Sequence, residues 1–397
     1  MCGIVGAVAD RHVAAILLEG LQRLEYRGYD SAGLAVVREQ GSGFDCRREV
    51  GKVRQLKDDV TASPVMGHTG IAHTRWATHG VPSQSNAHPH ISSDRICLVH
   101  NGIIENFEAL REELTAAGYA FASETDSEVI VHLVDFYHQQ KLSLLEAVRA
   151  AVKRLEGAYA IGVMAHDDPE RIVAARMGSP LVIGKGIGEN FIASDPLALR
   201  PVTDRFVFLE EGDLVEVTKH DISVWNVQDE TVIRATVKVE LGHDDVDKGN
   251  YRHYMQKEIH QQPSVLNDTL EGRIGRTRVL EPAFGVKAPD IFDQARAVTI
   301  VACGTSYYAA SIARYWIEEL VGIPCQVEIA SEFRYRKVAV LPDSLFVTIS
   351  QSGETADTLA ALRNVGEDEF VGSLVIANVD NSSLVRESDL VFLTRAG

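Results

Sequence analysis

What this sequence lacks excludes several classes of protein. No uninterrupted apolar run in its 397 residues reaches the roughly 20 residues that a membrane-spanning helix needs. No basic region followed by an apolar stretch opens the chain, so we expect no signal peptide. The five cysteines include no CxxC pair and no zinc-binding spacing. We therefore expect reduced cysteines, a cytoplasmic protein and no bound metal.

Positive charge is also scarce, with 39 basic against 56 acidic residues and a net charge of −17. This balance argues against a nucleic-acid binder or a protein of acidic membrane surfaces. An anionic small molecule stays possible, because local groups can hold it against the overall charge. Neither GxxxxGK[ST] nor GxGxxG occurs, so nucleoside triphosphates and dinucleotides are poor candidates for a ligand. The length predicts two or three domains.

Cys2 directly follows the initiator methionine. Removal of Met1 would give the cysteine a free α-amino group, which can serve as the base that activates its own thiol. Alternatively, Cys2 is an ordinary small residue at a disordered terminus. The apolar run Ile4–Val8 favours the catalytic interpretation, because a buried strand there would hold Cys2 in place.

Polar loops follow the first predicted helix, Val13–Leu24, and a strand beginning at Gly70. Arg75 is suited to binding a carboxylate, although most arginines form surface ion pairs. Trp76 could seal a small space. His79, considered alone, could equally be a solvated loop residue. Metal binding is not favoured at His88 and His90, which have no carboxylate or further histidine at ligand spacing.

Two further positions each allow a structural and a functional interpretation. Asn101-Gly102 ends a predicted strand that begins at Ile96, and the pair forms either a turn or an oxyanion hole. Asp126 precedes an apolar helix and is either its N-cap or a binding group. Short strands with glycine turns then run from Tyr159 to Val217. Helices grouped apart from runs of strands predict layered sheets with helices outside.

Taken in order, these motifs resemble the class II glutamine amidotransferase domain. The resemblance covers residues 1–240 and implies an α+β N-terminal-nucleophile fold, a four-layer αββα sandwich. The motifs are Met1–Gly6, Tyr26–Ser31, His73–Gly80, His100–Gly102 and Glu124–Asp126.

The same resemblance implies a role for each residue of the site. Cys2 would attack the side-chain amide of glutamine, and Asn101 with the Gly102 N–H would stabilise the oxyanion. Arg75 would hold the α-carboxylate of glutamine and Asp126 its α-ammonium group. The remaining implied roles are pocket lining for Thr78 and His79, and support of Cys2 for Arg27.

Residues 241–290 are predicted to form a linker and helical connector. The run Leu241–Asn250 is polar and charged, as linkers often are. Tyr251–Ile259 predicts a helix, whose end we expect at Pro263.

Residues 291–397 alternate predicted strands and helices, the pattern of an α/β doubly wound parallel sheet. Two of the five strands end in hydroxyl-rich turns that lead into helices, where a phosphate monoester would fit. Ordinary N-capping is the alternative. The polar residues of the two turns are Thr305 and Ser306, and Ser350, Gln351, Ser352 and Thr355.

The turn Ser350–Thr358 resembles the sugar isomerase (SIS) motif, and Cys303–Ser306 its companion. A class II glutaminase followed by SIS lobes resembles the isomerising aminotransferases of sugar phosphates. That resemblance implies L-glutamine and fructose 6-phosphate as substrates, and glucosamine 6-phosphate as product. It also implies an ammonia channel gated by Trp76, no cofactor and a homodimer.

The sequence reaches Gly397 just after the fifth predicted strand of what resembles the first SIS lobe. Residues that the family uses for ring opening, imine formation and isomerisation belong to a second lobe and are not assigned. We expect these 397 residues to hydrolyse glutamine and to bind sugar phosphate weakly, with apolar surface exposed where that lobe would pack. The alternatives are another class II amidotransferase and a non-enzymatic, sugar-phosphate-binding SIS regulator.

Overall fold

The computed structural model describes residues 2–25, 28–39, 41–77, 79–239, 251–366, 369–380 and 382–396. The chain divides into two compact units, Met1–His243 and Asp244–Gly397, and each is described by itself. Two predicted site residues, Arg27 and Thr78, lie outside the described residues, as does the predicted linker 241–250. In the described ranges, no helix is both long and apolar enough to cross a bilayer.

The first unit is built mainly from antiparallel strands. Its helices are α1 (Ala14–Arg23), α2 (Val53–Ala62), α3 (Phe107–Ala116), α4 (Ser127–His138) and α5 (Leu144–Val152). Its strands are β1 (Gly3–Ala9), β2 (Ser31–Val37), β3 (Phe44–Val50), β4 (Thr69–Arg75), β5 (His90–Ser92), β6 (Ile96–Ile104), β7 (Gly157–Ala165), β8 (Asp168–Met177), β9 (Val182–Lys185), β10 (Glu189–Ala193), β11 (Arg205–Phe208), β12 (Leu214–Thr218), β13 (Ile222–Trp225), β14 (Thr231–Val232) and β15 (Thr236–Lys238).

These strands form two stacked sheets, which confirms the predicted four-layer sandwich. One sheet has the order β15-β11-β9-β10-β1-β4-β2-β3, and the other β14-β13-β12-β8-β7-β6-β5. Helices α1 and α2 pack on the first sheet, whereas α4 and α5 pack on the second and α3 packs on α4. The layers are therefore helices, sheet, sheet and helices.

Strand β1 shows why the first apolar run does not alternate with polar residues. Val5 and Ala7 pack into the core beneath α1, whereas Ile4 and Val8 pack into the core between the two sheets. Both faces of the strand are thus covered, so every residue of β1 is buried. This burial fixes the backbone that immediately follows Cys2.

The second unit is a parallel sheet flanked by helices. Its five strands run in the order β17-β16-β18-β19-β20, and every neighbouring pair is parallel, which confirms the predicted doubly wound sheet. The strands are β16 (Ala297–Ala302), β17 (Cys325–Ile329), β18 (Ser344–Ser350), β19 (Gly372–Ala377) and β20 (Leu390–Leu393). The helices are α6 (Tyr254–Leu270), α7 (Ala288–Gln294), α8 (Gly304–Trp316), α9 (Ala330–Phe333), α10 (Ala356–Arg363) and α11 (Ser383–Glu387).

The predicted end of the connector helix at Pro263 is wrong, because α6 continues through the proline to Leu270. A proline inside a helix removes one backbone donor and tends to kink the helix, but other contacts can carry the helix past it. Here the last turn is tied to the chain after β20. The Thr269 hydroxyl donates to the Thr394 carbonyl, and Arg273 donates to the Leu393 carbonyl at 2.6 Å.

Candidate glutamine-hydrolysing site

Three neighbouring strands of the first sheet bring the N-terminal cysteine to two polar residues. Strand β4 pairs antiparallel with β1 and with β2, so Gly3 lies opposite Thr74 and Ser31 lies opposite Arg75. Cys2 precedes β1 and Asp30 precedes β2. The same end of the sheet therefore carries Cys2, Arg75 and Asp30.

The thiol of Cys2 lies against the backbone of the loop after β4. Its Sγ accepts a hydrogen bond from the Trp76 N–H at 3.2 Å. Burial raises the pKa of the Cys2 thiol, and the Trp76 N–H and the Arg75 charge only partly oppose this effect. The thiol is therefore protonated near neutral pH, and a nucleophilic role requires a base.

Asn101 and Gly102 lie inside β6, which continues to Ile104, so the alternative of an Asn-Gly turn is wrong. The Asn101 Nδ2 donates to the Cys2 carbonyl at 3.3 Å. Gly102 has φ +138°, and a Cβ there would lie 1.9 Å from the Ala158 carbonyl oxygen. A glycine is therefore required at this point of the strand.

His73 holds the amide of Asn101, a contact that the sequence motifs do not predict. Its Nε2 lies 2.9 Å from both the His100 carbonyl and the Asn101 Oδ1. Both partners are acceptors, so Nε2 carries the proton. Burial lowers the pKa of His73 to about 3, which keeps the ring neutral. A histidine within a fully buried strand, on the same face as Arg75, was the available signal.

Further histidines lie behind this contact. The His88 ring is 4.1 Å from that of His73 and 4.5 Å from that of His90, centroid to centroid. Among the described residues, neither ring nitrogen of His88 has a hydrogen-bond partner. Burial lowers the pKa of His88 well below its usual value and that of His90 to about 3. The rings therefore pack as neutral groups.

Arg75 is 3% exposed, so the alternative of a surface ion pair is wrong. Its Nη2 donates to the carbonyl of His79 and, at 3.2 Å, to that of Gly80. Its Nη1 lies 3.8 Å from Asp30 Oδ1. Asp30 in turn accepts a hydrogen bond from the Ala77 N–H at 2.5 Å. Arg75 and Asp30 thus fix the loop that follows β4.

Asp126 occupies the N-cap position of α4, as the structural alternative predicts, but its carboxylate accepts no hydrogen bond from the N–H groups of that helix. Its Oδ2 instead accepts a hydrogen bond from the Ile104 N–H at 2.9 Å, across on β6. Its Oδ1 lies 3.9 Å from His79 Nδ1. The carboxylate is buried beside the strand that carries Asn101 and Gly102.

Most of these residues border one cavity of about 10 Å³. Such a volume holds about one water molecule, so a larger ligand requires rearrangement of the lining. Trp76, at 54% exposure, covers one side and lies against Gly28. The lining residues are Cys2, Arg75, Trp76, His79, His88, His100, Gly102, Thr125, Asp126 and Ser127.

In the second unit, the two hydroxyl-rich turns follow adjacent strands, because β16 pairs in parallel with β18. Ser350 Oγ lies 2.9 Å from Thr355 Oγ1 and accepts the Gly353 N–H at 3.1 Å, and Ser352 Oγ accepts the Glu354 N–H at 3.2 Å. No side chain caps α8 or α10 at its N-cap position. Thr305 and Ser306 lie in the first turn of α8, and Gln351 is exposed.

Comparison with known families matches each unit separately. Residues 73–201 match the glutamine amidotransferase domain family, and residues 291–397 match the SIS domain family. The fold is similar to that of the glutamine phosphoribosylpyrophosphate amidotransferase of B. subtilis, with a TM-score of 0.50, 19% identity, and coverage of 95% of this chain and 81% of that one. The first unit thus contains a region similar to glutamine amidotransferase domains, and the second a region similar to SIS domains.

Curated relatives match over the whole chain. All 397 residues align at 62% identity with the glutamine–fructose-6-phosphate aminotransferase (isomerizing) of Pseudomonas putida, and at 59% with that of Yersinia pseudotuberculosis. The chain spans 65% of the length of each relative. Over its whole length the chain is therefore similar in sequence to 65% of each of these aminotransferases.

Proposed function

We propose that the first unit hydrolyses L-glutamine at Cys2, and that its ammonia aminates fructose 6-phosphate to give glucosamine 6-phosphate. The proposal depends on one observation: Cys2, Arg75 and Asp126 line one cavity, and the Asn101 amide donates to the backbone of Cys2 beside it. The names of the curated relatives support the acceptor.

In the proposed reaction, removal of Met1 frees the α-amino group of Cys2, which takes the proton of the thiol. The Sγ attacks the amide carbon of the glutamine side chain, and the carbonyl oxygen becomes an oxyanion. Asn101 Nδ2 and the Gly102 N–H stabilise that charge, for which one donor contributes about 3–4 kcal/mol. Asn101 already donates to the Cys2 carbonyl, so its amide lies beside the residue that carries the nucleophile.

Collapse of this intermediate breaks the carbon–nitrogen bond, and the ammonium of Cys2 returns its proton to the leaving ammonia. Water then attacks the thioester and releases glutamate. Arg75 is proposed to bind the α-carboxylate and Asp126 the α-ammonium, because opposite charges on one small cavity select a zwitterionic amino acid. His79, Thr78, Arg27 and a gating Trp76 remain part of this proposal.

The second unit is proposed to hold the phosphate of the sugar with the turn hydroxyls and the N-termini of α8 and α10. A helix N-terminus attracts a phosphate through its free N–H groups. We also propose a cytoplasmic location, which five free cysteines support, and assembly as a homodimer. An exposed apolar face on α8 supports a packing partner, with Tyr308, Ile312, Tyr315 and Trp316 each more than half exposed.

The test measures glutamate release by the purified chain with and without fructose 6-phosphate, and assays glucosamine 6-phosphate in the same tubes. Mass spectrometry verifies that Met1 has been removed. We expect glutamate without amino sugar, since the chain spans 65% of the length of its relatives. If the chain releases no glutamate after Met1 has been removed, the proposed role of Cys2 is contradicted. Cys2→Ala distinguishes a hydrolase from a sugar-phosphate-binding regulator, because only the hydrolase loses its activity.

A further inference from the structure

A second cluster of polar side chains lies at the opposite end of the three strands that carry Cys2, Arg75 and Asp30. His12 follows β1, Glu39 follows β2 and His68 precedes β4. Because β4 is antiparallel to both of its neighbours, these three segments meet at one end of the sheet. The cluster is exposed to solvent.

The three side chains converge on one carboxylate oxygen. Glu39 Oε1 lies 3.1 Å from His12 Nδ1 and 3.2 Å from His68 Nε2. The two imidazoles stack, with ring centroids 5.0 Å apart and an angle of 28° between their planes. One potential ligand atom from each residue lies within 4.8 Å of the others. Zinc bonds of about 2.0–2.2 Å place tetrahedral ligand atoms roughly 3.3–3.5 Å apart, so small side-chain shifts suffice.

The backbone around the cluster is held in place. The Ala9 N–H donates to the His68 carbonyl at 2.9 Å, and the Val13 N–H donates to the Gly67 carbonyl at 3.0 Å. These bonds join the segment that carries His12 to the segment that carries His68. Two ligands on fixed segments lose little conformational freedom when a metal binds them.

Two basic side chains at the segment that carries His12 pair with carboxylates other than that of Glu39. Arg11 pairs with Glu189 at 2.8 Å, and Lys219 pairs with Asp10 at 2.9 Å. Among the described residues, the basic side chains that contact the Glu39 carboxylate are the two imidazoles. Two imidazoles and one carboxylate form a donor set that suits a transition metal better than magnesium or calcium.

We propose that His12, Glu39 and His68 bind a divalent transition metal of the Zn²⁺ type. His12 binds through Nδ1, His68 through Nε2 and Glu39 through a carboxylate oxygen, with the remaining coordination position open to solvent. The seven residues of β1 separate the site from Cys2, a distance of roughly 20 Å at about 3.3 Å per residue. The metal therefore joins the ends of three strands of the first sheet without entering the cavity beside Cys2.

The test is isothermal titration of the EDTA-treated full chain with Zn²⁺, with Mg²⁺ as a second probe. Each titration uses a Cys2→Ala background, so that zinc cannot bind that thiol. We expect one Zn²⁺ per chain and no saturable Mg²⁺ binding. His12→Ala, His68→Ala and Glu39→Gln should each weaken Zn²⁺ binding at least tenfold.

His138→Ala is the matched control. His138 also contacts a carboxylate, that of Asp167 at 3.0 Å, but it is not part of the three-residue cluster. The control variant should bind Zn²⁺ as the parent does. Equal affinity in the parent and in His68→Ala would overturn the proposal, as would the absence of saturable binding in the parent. Thermal unfolding in EDTA checks that the variants fold, and Zn²⁺ should raise the unfolding midpoint of the parent but not that of Glu39→Gln.

Discussion

His73 Nε2 lies 2.9 Å from Asn101 Oδ1 and thereby fixes the direction of the Asn101 amide. If the amide were rotated by 180°, its NH₂ group would face the N–H of His73, and two donors would oppose each other. The carbonyl side of the amide therefore faces His73, and Nδ2 faces Cys2. A buried, neutral imidazole thus orients the proposed oxyanion donor without touching the substrate.

The first prediction follows from this contact. His73→Phe removes the donor but keeps a ring of similar shape, so the Asn101 amide loses its fixed orientation. We expect kcat for glutamate release to fall roughly fivefold, since one hydrogen bond contributes about 1 kcal/mol. KM for glutamine should change little. His73→Gln, whose amide can also donate, should restore part of the activity, which a purely structural role would not explain.

Asn101 itself provides the second prediction. Asn101→Asp is isosteric and removes the NH₂ donor, so kcat should fall by roughly 10²–10³, as for loss of one oxyanion donor in a comparable site. The double variant with His73→Phe should be little worse than Asn101→Asp alone, because both changes act on one group. Fully additive losses would show that His73 acts by another route.

The third prediction concerns recognition of the substrate ammonium. Asp126→Asn keeps an oxygen that can accept from the Ile104 N–H but removes the negative charge. We expect KM for glutamine to rise roughly 10- to 100-fold, because a hydrogen bond to a charged group contributes about 1.5–3 kcal/mol. The measurement is steady-state glutamate release. An unchanged KM would place the ammonium elsewhere.

Much of the architecture could be predicted, because strands that are buried on both faces have continuous apolar sequences. The apolar run at Ile4–Val8 and the five strand patterns after Ala297 reflect strands covered on both faces. Pro263 misled the prediction of the connector helix, because local propensity cannot show that the last turn of α6 is tied to the chain after β20.

Cys2 could be singled out from the sequence because a cysteine directly after the initiator methionine is unusual, whereas the roles expected for Arg75 and Asp126 were implied by the resemblance to amidotransferases. The orientation of Asn101 by His73 was not predictable, because it depends on how β4 faces the second sheet. The cluster of His12, Glu39 and His68 could not be predicted for a related reason. His12, Glu39 and His68 are far apart in the sequence, and only the pairing of β1, β4 and β2 brings them together.

The fourth prediction uses two glycines that both have positive φ. Gly102→Ala places a Cβ 1.9 Å from the Ala158 carbonyl oxygen, whereas nothing lies within 4 Å of a Cβ at Gly118. We expect Gly118→Ala to lower the free energy of unfolding by about 1–2 kcal/mol through backbone strain. The variant should keep its glutamine-hydrolysing activity. Gly102→Ala should be far less stable and inactive. Equal thermal midpoints for the two variants would contradict the close approach seen in β6.

The fifth prediction is a dependence of stability on acid that originates in the buried histidines. Burial lowers the pKa of His73 and of His90 to about 3, and it also lowers that of His88 and of His100. In the unfolded chain a histidine titrates near 6.5. Below that pH the unfolded state binds protons that the folded state does not, so the free energy of unfolding falls as pH falls from about 6.5 towards 3. Above pH 6.5 these groups contribute no slope.

His88→Leu tests this account, because the described residues offer His88 no hydrogen-bond partner at either ring nitrogen and the substitution breaks no such bond. When the pH is lowered from about 7.5 to about 5, the midpoint temperature of unfolding should fall by less in the variant than in the parent. His220→Gln, at an exposed position, should behave as the parent does. If the midpoint temperature falls by the same amount in His88→Leu and in the parent, His88 is protonated in the folded state. That result would disprove the neutral packing of the rings.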